Sequence, residues 1–315
     1  MINKTNIVTS SLLLLFCAPI GLVTSSYAGT LDGAVEASGN NVAIGDQAAA
    51  RGTNATSVGA FSFADGEFSA AFGMGSSAAG DGATALGNNA EASALGSSAV
   101  GQGAQARGNN SSAFGSTAAA EGEDSLAFGF QSFVSEAQSI AVGTNALATA
   151  IRSTSLGTES STSGANSMAL GYQAETTEAA TNSVALGNGS LATEANTVSI
   201  GNADTGLTRR LTNVAAAVND NDAVNYAQFQ TTIKGTREDA FAGIASAAAL
   251  IPATPSAAGK TAVSMGAATY RGEHALGVSV NRQLLHSRYR TQISGGVAYD
   301  SSQHTLGRVG VAWEF

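Results

Sequence analysis

The 315-residue chain is only 12% charged and carries a formal net charge of -9, with 23 Asp and Glu against 14 Lys and Arg. That acidity excludes nucleic acid as a partner, because phosphate contacts are made by Lys and Arg. The single cysteine, Cys17, sits in an N-terminal apolar segment, so a disulfide framework and thiol chemistry are excluded from the remainder.

Residues 1–28 have the form of a secretory signal peptide. Lys4 gives the positive start, residues 7–23 the apolar centre, and Ser26-Tyr27-Ala28 a small-x-small site with cleavage after Ala28. Ser10, Ser11, Pro19 and Gly21 interrupt the centre and argue against a transmembrane anchor, and Phe16 directly before Cys17 argues against a lipoprotein site.

The next stretch keeps count. Glycines stand at Gly45, Gly59, Gly73, Gly87, Gly101, Gly115, Gly129, Gly143, Gly157, Gly171, Gly187 and Gly201; ten of the eleven intervals are 14 residues and one, from Gly171 to Gly187, is 16. A Gly/Ser/Ala-rich linker has no reason to hold such a period, whereas a solenoid does. Before each glycine stands a short run such as Val42-Ala43-Ile44 or Ile140-Ala141-Val142, with two bulkier residues flanking a small one. Period-two alternation puts the flanking pair on one strand face and the Ala on the other. Fourteen residues suit two short strands and two turns, with Gly where the chain bends. Twelve rungs spaced by ~4.8 Å would stand roughly 58 Å tall. The expected arrangement buries the bulkier side and leaves an alanine-lined flank to pack against copies of the same coil. From residue 29 to 205 there are sixteen acids against Arg51, Arg107 and Arg152 and no Lys; from 233 onward, eight Lys and Arg stand against five acids.

Beyond the last rung, Asp222 is the expected N-cap of a helix. Phe229, Ile233, Phe241, Ile244, Ala248 and Ile251 then recur near helical spacing until Pro252 and Pro255 stop the run. Thirty helical residues would span roughly 45 Å.

From Lys260 onward four runs alternate with period two: 261–270, 273–281, 289–299 and 305–315. In the second run His274, Leu276, Val278 and Val280 share one face, with Ala275, Gly277, Ser279 and Asn281 on the other. Apolar residues with aromatics on one side and small or polar residues on the other suit outer-membrane barrel strands. Four strands cannot close, and an open edge in lipid leaves backbone groups unpaired, so other chains must complete the wall. Three chains give twelve strands, a lumen wide enough for three helices, and small lumen-facing residues such as Gly266, Gly296 and Gly310 make room for them.

These residues match a known pattern. The chain resembles the YadA-like trimeric autotransporter adhesins over essentially its whole mature length. Asn182-Ser183-Val184-Ala185-Leu186-Gly187 and Asn166-Ser167-Met168-Ala169-Leu170-Gly171 look like the family's head motif. Arg210, Asn213, Asp222 and Asn225 look like its neck, and Gly266, Tyr270, Gly272 and the terminal Phe315 like its membrane anchor. The resemblance implies an all-β chain with a short α segment: a left-handed parallel β-roll head, a neck, a short trimeric coiled-coil stalk and a twelve-stranded trimeric outer-membrane barrel. The segments would be the signal peptide 1–28, head 29–205, neck 206–229, stalk helix 230–251 and anchor 252–315. It further implies an anchor that exports its own head, with Phe315 read by the outer-membrane barrel-assembly machinery. Ala217 stands where the neck often has Gly, and many rungs lack the Asn-Ser start, so the collagen binding of some members is not carried over.

No catalytic constellation emerges. His274, His286 and His304 all fall in anchor strands or loops without metal-ligand spacing. Gly73-Met74-Gly75 follows a repeat strand with no helix behind it and reads as repeat punctuation. Glu121, Glu123 and Asp124, and Asp220 with Asp222, read as solvated turn residues ahead of calcium ligands. An acyltransferase-type β-helix would need a six-residue period and a coil histidine, and residues 29–205 hold no His. The expected function is a homotrimeric surface adhesin, neither enzyme nor cofactor protein, that binds host matrix, cells or surfaces and autoaggregates. A structural fibre for self-association or shielding is the alternative.

Overall fold

The computed structural model describes residues 35–36, 40–285 and 290–314. The expected signal peptide with Ala28, His286 and Phe315 lie outside the described residues. The chain divides between Arg210 and Leu211 into two compact units.

The first unit is a parallel solenoid of two twelve-stranded sheets. One sheet is built from three-residue strands beginning with Val42–Ile44, the other from two-residue strands beginning with Val35–Glu36. The register advances by one repeat per rung: Ser98 pairs with Ser112, Ala99 with Ala113 and Val100 with Phe114. Across the long interval Met168 pairs with Val184, so the two extra residues go into a turn and leave the ladder intact. Gly45 explains the repeat glycine. Its φ is +127°, and a Cβ there would lie 2.7 Å from the carbonyl of Gly59 one rung on, so any other residue would be strained and would force the rungs apart.

The core reverses one expectation. The middle residues of the triplets, Ala43, Ala71, Ala85, Ala99, Ala113, Ala127 and Ala141, are fully buried between the two sheets. The bulkier residues on either side of them point outward and stay partly exposed. A coil of 14 residues per turn is too thin to hold two layers of Val or Leu, so Ala and Ser fill it and the aliphatics go outside. Where a triplet has Ser in the middle, a second buried hydroxyl answers it: Ser57 and Ser62 lie 2.7 Å apart, as do Ser155 and Ser160. Each buried polar atom so paired avoids the desolvation cost of an unmade hydrogen bond.

In the second unit a single helix, Tyr226–Ala249, precedes four antiparallel strands: Thr261–Tyr270, Glu273–Gln283, Arg290–Asp300 and Thr305–Glu314. The helix starts inside the segment expected to be neck and has 24 residues, about 36 Å of axis. Asn225, not Asp222, is its N-cap. The Asn225 side chain accepts from the Gln228 amide at 3.0 Å, and Gln228 Oε1 accepts from the Asn225 amide at 3.4 Å, a complete capping box. Asp222 instead closes the preceding turn, accepting from the amides of Val218 at 3.0 Å and Asn219 at 2.9 Å.

The strands pair in sequence order, and the first and last are not joined to each other. The alternation is as expected: His274, Leu276, Val278 and Val280 are exposed, while Ala275, Gly277, Ser279 and Asn281 are buried. Ala242, Ala245, Ser246 and Ala249 of the helix are buried against the second face. A Cβ at Gly277 would lie 2.7 Å from the Ala249 carbonyl oxygen. Small residues on both partners therefore let the helix end rest on the sheet backbone.

Candidate functional site

The molecule presents three surfaces rather than one cleft. The first is the outer face of the three-residue sheet. Because the register never slips, the third residues of the triplets form a continuous file: Ile44 beside Val58, Phe72 beside Leu86, Val100 beside Phe114, Phe128 beside Val142. Leu86 is 47% exposed and Phe128 54%, and Phe114 and Phe128 have ring centroids 6.1 Å apart. A contiguous apolar file running along the solenoid is the kind of exposed patch that marks a contact surface.

The turns and the opposite sheet carry carboxylates such as Glu91 and Glu121 beside exposed apolar residues such as Phe61, Phe68, Leu95 and Phe130. Arg107 sits between Glu91 at 3.1 Å and Glu121 at 3.3 Å. The hydrogen bond it donates to Glu91 raises its pKa most; burial opposes this, and the charges of Glu91 and Glu121 add to the rise. Arg51 reaches Asp65 at 3.4 Å, and Arg152 Nε donates to Asn166 at 2.7 Å. All three head arginines are thus engaged along the stack, and the surplus is carboxylate. The negative charge of Glu159 raises the pKa of the Tyr172 phenol. Glu121 is held by Arg107, Asp124 accepts from Asn110 at 3.2 Å, and among the described residues no group of three His, Cys, Asp or Glu is placed to hold a metal ion.

The last rung is closed by a residue the sequence reading passed over. Arg209 donates to Ser190 Oγ at 2.8 Å, to the Ile200 carbonyl at 2.6 Å and to the Asn188 carbonyl. It occupies the end of the coil where a further strand would otherwise pair. Its neighbour Arg210, expected as the neck arginine, is exposed. An arginine just past the final repeat was the available signal. In the second unit Asn213 has a left-handed φ of 61°, and Asn225 Nδ2 donates to the Val214 carbonyl at 3.1 Å. Gln228 exchanges two hydrogen bonds with the backbone of Ala217, at 2.8 and 3.1 Å. The two amides on Asp222, from Asn219 first and Val218 second, hold its carboxyl below the ordinary aspartate value.

The third surface is the anchor sheet. Its outer face carries Met265 at 84% and Val309 at 83% exposure, with Val263, Leu276 and Trp313. On the inner face the chain leaving the helix is tied down by polar contacts. Ser264 Oγ donates to the Ile251 carbonyl at 2.6 Å, Asn281 Nδ2 to the Ala253 carbonyl at 3.1 Å, and Arg308 to the Leu250 carbonyl at 3.2 Å. Ser246 bonds the buried Asp300 at 3.2 Å. Tyr270 meets Phe241 edge-on at 5.4 Å, with Arg271 stacked over both rings, and Gly272 turns the hairpin at φ +96°. Gly266 faces the Ala249 carbonyl, like Gly277. An apolar outside, a filled inside and two unpaired strand edges are what a segment of barrel wall requires. No described helix is long and apolar enough to cross a membrane.

Comparison with known proteins agrees with this division. Residues 253–315 match the YadA-like membrane anchor domain, and residues 210–250 the coiled stalk of trimeric autotransporter adhesin. Six segments, 37–62, 64–90, 92–118, 120–146, 148–174 and 179–203, match the YadA head domain repeat. The autotransporter adhesin EhaG of Escherichia coli O157:H7 is 33% identical over 130 residues, 34% of this chain and 8% of EhaG. The chain therefore spans less than a tenth of that relative. The collagen-binding domain of the Yersinia adhesin YadA is 31% identical, covering 55% of this chain and 86% of that one, with a TM-score of 0.44.

Proposed function

Because the chain belongs to the YadA-like trimeric autotransporter adhesins, anchored in the outer membrane with the head exposed, we propose that its head attaches cells to host matrix, other cells or surfaces and drives autoaggregation. The observation that supports this most is the combination, on one chain, of an unclosed lipid-facing sheet and an acidic head with an unbroken apolar file. Three copies complete the barrel wall with twelve strands, and the apolar files of three heads cover one another. That leaves the sheet of two-residue strands and the turns facing outward, where a ligand would meet them. We also propose that the anchor passes its own head through the outer membrane and that the barrel-assembly machinery recognises the C-terminal end at Phe315.

The test is display on a non-adherent bacterium, with the full chain compared against one lacking residues 29–205. Adhesion to immobilised matrix proteins and settling of the culture should both require the head. Settling without binding to any matrix protein or host cell would favour a self-associating fibre, and neither would overturn the adhesin reading.

A further inference from the structure

Alanine lying on alanine and glycine says little about depth. The helix rests on the inner face of the anchor sheet through Ala245 and Ala249, with Ala275 and the partly buried Ala268 in the same cluster. A slip of one turn, about 5.4 Å along the axis, puts each residue where the one about four places away had been. On a face of alanine alone that exchange would cost almost nothing. Two helix side chains that meet the sheet are larger or polar: Phe241, edge-on to Tyr270 at 5.4 Å, and Ser246.

Ser246 is fully buried, and its hydroxyl donates to Asp300 Oδ2 at 3.2 Å. Asp300 is itself buried and is oriented by its own hairpin. Its Oδ1 accepts from the His304 amide at 2.8 Å, while its amide donates to the His304 carbonyl at 3.1 Å. One carboxyl oxygen is therefore used by the turn and the other is aimed at the helix. A buried carboxyl oxygen deprived of its donor loses its solvation and gains nothing in exchange.

The two directions of slip are blocked differently. Moving the helix towards its C-terminal end would press Phe241 into the place of Ala245, where the packed alanines leave no room. Moving it the other way meets no such bulk in that row, because Ala249 would take the place of Ala245. It would, however, bring Leu250 over Asp300 and strip Oδ2 of its donor. Arg308, which donates to the Leu250 carbonyl at 3.2 Å, is exposed and long enough to follow such a move, whereas Asp300 is fixed by its turn. The head precedes the helix in the chain, so a pull on the head reaches the helix from its N-terminal end. We propose that Asp300 is a positioning residue that sets how deep the helix sits in the barrel and, through Ser246, holds it against withdrawal. Single buried polar contacts set register between helices in the same way. The inference concerns the anchor alone and stands apart from what the head binds.

The test uses the full-length protein with paired cysteines in a Cys17→Ser background, which removes the single native cysteine. Ala245→Cys with Ala275→Cys reads helix against sheet, and Ala268→Cys with Ala275→Cys, which are cross-strand partners, reads the sheet itself. In outer-membrane fractions Asp300→Ala and Ser246→Ala should each slow the first disulfide about tenfold, a loss of about 1.4 kcal/mol in the population of the seated helix, and leave the second unchanged. Asp300→Asn should keep the unmodified rate, since its oxygen can accept from the His304 amide while its NH2 donates to the Ser246 hydroxyl. In planar bilayers the two alanine variants should conduct more than the unmodified protein, and oxidation of the first pair should return them to its level. An unchanged first disulfide in both alanine variants, loss of the second disulfide together with the first, or conductance that oxidation does not restore overturns the proposal.

Discussion

Head and anchor solve the same packing problem in the same direction and differ in what they leave undone. In both, alanine, serine and glycine are turned inward and the large apolar side chains outward: Ala99 against Leu86 in the head, Gly277 against Leu276 in the anchor. The head nevertheless satisfies its backbone within one chain, since each rung bonds its neighbours, as where Gly59 donates back to Ile44 at 2.8 Å and Phe61 to Asp46 at 2.9 Å. The anchor cannot do so. Its first and fourth strands each have one neighbour, and unpaired backbone groups in lipid cost several kcal/mol each. A lone head is therefore a finished fold with an uncovered face, whereas a lone anchor is an unfinished one.

The largest expected effect follows in the anchor. Gly277→Leu drives a side chain into the Ala249 carbonyl and should cost more than about 3 kcal/mol, because backbone on both sides cannot yield. Heat-resistant trimer in outer-membrane fractions should disappear, while Leu276→Val on the lipid side should leave it in place. If both variants assemble equally, the tight seat of the helix on the sheet is not what holds the anchor together.

Next is the inside–outside inversion of the head. Ala99→Leu overfills the space between two sheets and should destabilise each copy by about 1–3 kcal/mol, read as a lower Tm of the displayed head. Leu86→Ser should leave the rungs paired and instead weaken contact between copies, read by crosslinking, with a loss of up to about 1.5–3 kcal/mol if that side chain is fully covered in the trimer. A silent Ala99→Leu would return the alanines to the outside.

Smaller is the cap on the last rung. Arg209→Ala removes donors from Ser190 and two carbonyls and should cost about 2 kcal/mol. Hydrogen exchange should quicken at the Leu191 amide, which donates to Gly201 at 2.7 Å, and stay unchanged at Ser98 in the middle of the stack.

The smallest concerns Asp222. Its folded-state pKa is depressed by the amides of Asn219 and Val218, so its contribution is present above the unfolded value and fades as pH falls through the lower folded one. The turn at residues 218–222 of the unmodified protein should loosen below about pH 4. Asp222→Asn should flatten that dependence, measured by exchange of the Val218 amide.

The solenoid was legible because glycine answers to a local demand: at Gly45 or Gly59 the positive φ and the carbonyl of the next rung leave no space for a Cβ, and the interval records it. The direction of the core was not legible in the same way. Alternation divides Val42 and Ile44 from Ala43, but it assigns two faces without saying which is inside. The width of the coil decides that, and width is a property of the closed turn. The one hint was that middle residues are always small, Ala or Ser, while their neighbours range from Ser98 to Phe128. The helix start was within reach: Asn225 followed by Gln228 three residues later is a capping pair, and Asp222 drew the assignment only because it comes first. The strand alternation of the anchor was plain, since lipid and lumen ask opposite things of neighbouring residues.

The pairing of each rung with its immediate neighbour has a bearing on traffic through the membrane. Head contacts reach about one repeat along the chain, so a freshly emerged length can harden at once without waiting for distant sequence. In the export proposed for the head, each turn set on the far side would resist slipping back, so ordered rungs would hold whatever progress thermal motion makes.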